Sequence, residues 1–177
     1  MGYPSTDTLN GLSVDEFVDE VAPLFEGGRR FLQRLAAVRP FSSDHAFLAA
    51  AREVARTMPE EEQVELLNAH PAIGADPDAI SPASFEEQGY GEPAEDEADP
   101  LADELAMLNE VYEQRFGFRY VVFVAGRPRS AVAELIEASM RNDRQAELAR
   151  GLDDLIAIAA DRLGRLRGEV PDQPEDA

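Results

Sequence analysis

The sequence predicts an all-α fold: one compact domain of seven or eight helices with a single short extended segment. Apolar residues recur at intervals of three and four along most of the chain, and helix-opening residues stand just ahead of those runs. No stretch shows the sustained apolar–polar alternation of paired, half-buried strands, and there are no internal repeats. At 177 residues the chain fits one domain able to bury a core without staples. The expected division is an N-terminal tail over 1–11, a helical domain over 12–167 and a disordered acidic tail over 168–177.

The elements follow in order. Ser13-Val14-Asp15-Glu16 reads as a capping box, with Leu12 and Phe17 spaced as a hydrophobic staple, opening a short helix that Pro23 interrupts. Phe25, Phe31, Leu32, Leu35 and Val38 continue at helical intervals, and Gly27-Gly28, each costing about 1 kcal/mol in a helix, predicts a bend or break. Pro40 separates a helix starting near Ser43 or Asp44, with a stripe of Phe47, Leu48, Ala51, Val54, Ala55 and Met58. Pro59 and Glu60-Glu61-Glu62 form a proline-and-acid first turn, leading to a helix that ends near Ala69 because Pro71 disfavours helical geometry at His70.

Residues 75–100, rich in proline, glycine and acid, read as loop with one helical turn inside. Leu105, Leu108, Val111 and Tyr112 restore helical spacing, and Gly117 supplies the stop. Residues 118–125 are β-branched and aromatic, but a lone strand leaves backbone groups unmet, so a buried extended segment is expected. Ser130 is placed as the cap of a helix through Met140. After Asn142-Asp143 a long helix carries Leu148, Leu152, Leu155, Ile156, Ala159, Leu163 and Leu166.

Composition narrows the function. Thirty-six acidic residues against sixteen basic ones, all arginine, give a net charge of -20, a surface that repels nucleic acid and anionic lipid. The absence of cysteine excludes thiolate chemistry and thiolate metal sites, and two histidines are a thin supply for a metal cage. No apolar run reaches the roughly 18–20 residues of a membrane span and the first ten residues lack signal-peptide character, so a soluble cytoplasmic protein is expected. An anionic substrate would be opposed by the global field, which gives weight to any arginine near a candidate site.

Several segments carry more constrained chemistry than packing asks for. His70 stands before a proline at a helix C-terminus, where the helix dipole favours a protonated ring; its structural alternative is a C-cap. Ser84-Phe85-Glu86-Glu87-Gln88 holds a carboxylate and an amide suited to a polar substrate, and equally fits a capping box. Arg162 lies among Arg150, Arg165 and Arg167 on one helix and by default is solvated, while Tyr112, Phe116, Phe118 and Tyr120 read as core aromatics.

Taken together, His70-Pro71-Ala72-Ile73-Gly74, Ser84 to Gln88, Leu108-Asn109, Tyr112, Arg115-Phe116-Gly117-Phe118 and Asp161-Arg162-Leu163 resemble, in order and spacing, the OHCU decarboxylase family. That family acts on 2-oxo-4-hydroxy-4-carboxy-5-ureidoimidazoline in urate degradation, and the likeness runs from about Leu12 to Leu163. The resemblance implies a carboxy-lyase that needs no metal or organic cofactor and yields (S)-allantoin, with His70 as the proton donor. It implies a catalytic set of His70, Glu87 and Arg162. It further implies substrate contacts from Pro71, from Ser84, Phe85, Glu86, Glu87 and Gln88, and from the backbone of Tyr120, Val121, Val122, Phe123 and Val124. A homodimer with a small-molecule substrate is expected from the same likeness. The chain departs from the family's habit at Gly27-Gly28-Arg29-Arg30, at Ala72, and at Arg119, which stands where a proline is common. The alternatives are the same scaffold acting on another ureido or imidazole acid, or a non-catalytic binding homologue.

Overall fold

Side-chain caps open four of the helices, which is how local sequence sets their starts. Ser5, Ser13, Ser43 and Asp143 each accept a backbone N–H from the first turn, and Ser13 with Glu16 closes the reciprocal box. The computed structural model describes residues 3–74, 81–83 and 100–168. Among them are eight helices: α1 (Thr6–Gly11), α2 (Val14–Phe25), α3 (Arg29–Ala37), α4 (Asp44–Thr57), α5 (Glu60–Asn68), α6 (Pro100–Phe116), α7 (Arg129–Ser139) and α8 (Arg144–Arg167). None of the described helices is long and apolar enough to cross a membrane.

α8 is the spine. It packs against α2, α4 and α5, burying Leu148, Leu152, Leu155, Ile156, Ala159 and Leu163, and α6 pairs with α7. Phe17, Phe25, Phe31, Phe41 and Phe47 form one aromatic cluster, with ring centroids 5.0 to 6.5 Å apart. Tyr112, Phe116, Phe118 and Tyr120 form a second.

Three expectations about the elements need correcting. Pro23 does not interrupt α2, which runs on to Phe25. An interior proline costs about 3 kcal/mol, whereas Leu24 and Phe25, both fully buried, return about 1.5–3 kcal/mol each. α7 opens on Pro128 in extended geometry, so Ser130 lies inside its first turn instead of capping it. Residues 1–11, set apart as a tail, contain α1, and its Leu9 is buried in the core. The break at Gly27-Gly28 is present: Glu26, Gly27 and Gly28 all have positive φ, and α3 starts at Arg29. A Cβ on Gly28 would lie 2.5 Å from Leu66 Cδ1, so the glycine also permits the close approach of α5.

Residues 119–124, in the stretch expected to be extended, are in neither helix nor strand and have no strand partner among the described residues. Side chains meet the backbone instead. The Arg119 N–H donates to Asn68 Oδ1 (2.8 Å), Arg150 Nη1 donates to the Val121 carbonyl (2.9 Å), and Arg127 Nη1 to the Phe123 carbonyl (3.0 Å). Arg150 is in turn fixed by Glu147, which is wholly buried and also accepts from Tyr112 Oη (2.7 Å) and Asn142 Nδ2 (2.7 Å). Glu147 thus ties α6, the α7–α8 turn and the extended segment to α8. Replacing it with alanine strands the buried Tyr112 hydroxyl and the half-buried Arg150 guanidinium; Glu147→Ala is expected to lose about 3–5 kcal/mol in urea unfolding, with Glu147→Gln losing less.

Candidate active site

Sequence places His70 at a corner. α5 runs out at Asn68, the His70 N–H still reaches the Leu67 carbonyl (3.1 Å), and Pro71 turns the chain away. The segment beyond is pinned to α6 by Asn109, whose Nδ2 donates to the Ile73 carbonyl (2.6 Å) and to Leu105 of its own helix (2.8 Å). Gly74, at φ 77°, lets that turn sit on Leu105, where a Cβ would meet Leu105 Cβ at 3.2 Å. Ile73, Gly74 and Asn109 thus hold the histidine's stretch of chain in place.

The ring of His70 is 3 % exposed, and neither ring nitrogen has a hydrogen-bond partner among the described residues. Burial pushes its pKa down to about 4, and the positive charge of Arg162 pushes the same way. Glu26 opposes them, as does the Leu66 carbonyl, close to the ring but outside hydrogen-bond geometry; Arg119 adds a further lowering influence. Among the described groups, desolvation thus works against the helix terminus and favours the neutral ring.

Arg162 is not the solvated arginine of the default reading. It is 5 % exposed on α8, donates from Nη1 to the Pro23 carbonyl (2.9 Å), and pairs through Nη2 with Glu26 Oε1 (2.9 Å). The same carboxylate oxygen accepts from Ser81 Oγ (2.6 Å). The structure thus gathers His70 and Arg162, distant in sequence, and adds Glu26, which sequence reasoning did not place in the site. The only signal for it was the glycine pair that follows, since a turn there swings the preceding side chain off the helix axis.

Arg119 was also missed as a site residue. Its Nη1 donates to the His70 carbonyl (2.7 Å) and its Nε to Glu113 Oε1 (3.1 Å), so it clamps the histidine's backbone to the start of the extended segment. No local signal marks it, because its acceptor comes from a different part of the chain. Pro71 is half-buried beside His70. Ser84, Phe85, Glu86, Glu87 and Gln88 lie outside the described residues. In the extended segment Tyr120 is committed to the core, stacked under Arg150 (4.7 Å) and against Tyr112. The N–H groups of Val122 and Val124 have no partner among the described residues.

The fold is thus a helical domain that holds in its interior a histidine and an ion-paired arginine whose charge acts on it. The chain belongs to the OHCU decarboxylase family, whose model matches residues 10–164. It is 31% identical over 159 residues to the 2-oxo-4-hydroxy-4-carboxy-5-ureidoimidazoline decarboxylase of Haloferax volcanii, covering 88% of this chain and 91% of that protein. It is 30% identical over 158 residues to the uric acid degradation bifunctional protein of Bacillus sp. (strain TB-90), covering 88% of this chain but spanning only 30% of that relative. A crystal structure of OHCU decarboxylase in the presence of (S)-allantoin shares the fold, with a TM-score of 0.65 and 22% identity over 85% of this chain and 98% of that one.

The depressed pKa has a consequence for stability. An unfolded His70 binds a proton near pH 6.5, and the folded one refuses it down to about 4. Stability is therefore lost as pH falls from 6.5 to 4, by on the order of 3 kcal/mol from this residue. Urea unfolding at pH 7 and pH 5 is expected to show a larger acid loss for the wild type than for His70→Asn, by about 2 kcal/mol. Equal losses would mean that the ring titrates normally.

Proposed function

We propose that this chain decarboxylates 2-oxo-4-hydroxy-4-carboxy-5-ureidoimidazoline to (S)-allantoin, with His70 returning the proton. Membership of the family and the activity named for the Haloferax relative support the reading. The observation that carries it is the pairing of a buried His70, both nitrogens unpartnered among the described residues, with the buried charge of Arg162.

The charges suit the reaction. The bond between the ring carbon and the carboxylate breaks, carbon dioxide leaves, and the electron pair stays on the carbon, where it is delocalised into the ring. One proton must then be supplied. In the free site His70 is neutral and a poor donor. An anionic substrate seated against Arg162 offsets the cation that disfavours imidazolium, so binding raises the proton affinity of the ring and charges it for delivery. The product is neutral, and its release returns the histidine to its resting form, ready to take its next proton from solvent.

In this reading Glu87 acts with His70, and Ser84, Phe85, Glu86 and Gln88 contact the ureido and ring groups. Pro71 packs on the substrate, and the backbone N–H groups of the segment from Tyr120 to Val124, Val122 and Val124 among them, meet its carbonyls. The chain works in the cytoplasm as a homodimer, a reading supported by family likeness and by the exposed Met107, Val111 and Leu135 on the paired helices α6 and α7.

Freshly generated substrate, followed by circular dichroism, tests this. Wild type is expected to form one allantoin enantiomer well above the spontaneous rate, and His70→Asn to lose about 10²-fold or more in kcat. No acceleration by the wild type would transfer the scaffold to a different acid.

A further inference from the structure

We propose that Glu26 is a positioning residue of this site: it aims the Arg162 guanidinium and partly neutralises it, so that the arginine's hold on an anionic substrate is directed instead of merely strong. The decarboxylase reading supplies the substrate for the test, and the geometry stands apart from it.

Glu26 occupies an expensive conformation. It is the C-cap of α2 and one of two non-glycine residues with positive φ among those described, at 55°, in the left-handed region that side-chain-bearing residues rarely adopt. Such strain persists only where surroundings over-determine it, and it clusters at functional sites. Here the left-handed turn through Gly27 and Gly28 carries the carboxylate back beneath the end of α2, onto Arg162. Pro23 and Glu26, three residues apart, then hold the two terminal nitrogens of the guanidinium, one by a carbonyl and one by a carboxylate. Two anchors fix the plane of a guanidinium where a single anchor leaves it free to swivel.

An ordinary structural ion pair does not explain the rest of the arrangement. Oε1 of Glu26 is shared between Arg162 and Ser81, so the carboxylate joins α2 and α8 to residue 81. Its charge also reaches His70, where it counters Arg162 and Arg119 and keeps the ring closer to protonation than two cations alone would leave it. Without Glu26, the carboxylate at Nη2 is gone and the arginine's field at the site strengthens. An anion would be drawn in harder and held in line with the arginine, away from the geometry in which its ring carbon meets His70.

The test uses the full chain with Glu26→Gln, which keeps an acceptor but removes the charge, and Glu26→Asp, which keeps the charge on a shorter arm. With the ureidoimidazoline as substrate, Glu26→Gln is expected to lower kcat about tenfold or more while KM also falls, because binding tightens as orientation is lost. A loss of folded protein would lower apparent kcat at unchanged KM. Glu26→Asp is expected to fall between the variant and wild type, and it carries the test if Glu26→Gln does not fold. Unaltered kcat and KM would overturn the proposal while leaving the decarboxylase reading intact. If the wild type does not turn the substrate over, binding of hydantoin-5-acetate, a stable ring carboxylate, decides. About fivefold tighter binding by Glu26→Gln supports the role, and equal affinity, or none for either protein, overturns it.

Discussion

A buried guanidinium sets the terms for one end of this molecule. Taking the Arg162 cation out of water costs several kcal/mol unless a carboxylate and carbonyls stand in for the solvent. Two of its partners come from the C-terminal end of α2, and supplying them explains features that otherwise look unrelated. α2 continues past Pro23 so that its carbonyl faces Nη1. Glu26 takes a left-handed conformation so that its carboxylate meets Nη2. The glycine pair follows because the chain must then leave the turn at two further positive φ angles before α3 begins. The join between α2 and α3 is thus organised around a charge on α8, the last helix.

A second buried carboxylate, Glu147, does comparable work with a different result. It accepts from Tyr112, Asn142 and Arg150, and Arg150 passes the restraint on to the Val121 carbonyl. An extended segment with no strand beside it becomes affordable only through such side-chain donors, since bare buried carbonyls would each cost about 1–3 kcal/mol. Arg119 adds the link between the two halves, holding the His70 carbonyl from the first residues of that segment. The arginines serve as the mortar of this fold: a guanidinium offers five donors in a fixed plane, which one lysine ammonium does not.

Helix-level structure was legible because it is written locally. Ser13, Ser43 and Asp143 cap their helices as their spacing requires, and the stripes on α4 and α8 are buried as the periodicity predicts. Pro23 misled because its cost is local while the compensating burial of Leu24 and Phe25 is tertiary. The same division runs through the site. His70 and Arg162 were found as members of motifs, yet their states were not: an exposed-looking arginine is buried, and burial works against the charge expected on the histidine. Both outcomes depend on how deep the fold carries the side chain, which spacing along one helix does not encode. Glu26 and Arg119 were missed for a related reason, since each acts on a group from a distant part of the chain.

The electrostatics of the whole chain and of the site point in opposite directions, and that opposition is informative. A net charge of -20 repels an anion at long range, within a screening distance of roughly 8–10 Å at moderate salt. At the site the described charges that act on His70 are those of Arg162, Glu26 and Arg119, and both arginines are themselves paired with carboxylates. A guanidinium buried as deeply as Arg162 is screened weakly by salt, so its attraction is strong for a ligand that has already entered. An anion that enters alters the balance around the histidine at the same moment, because it adds the negative charge that a protonated ring needs. On the proposed reading, binding and acid formation are one electrostatic event, and a neutral resting His70 is both a tolerable buried group and, once the site is filled, the proton donor.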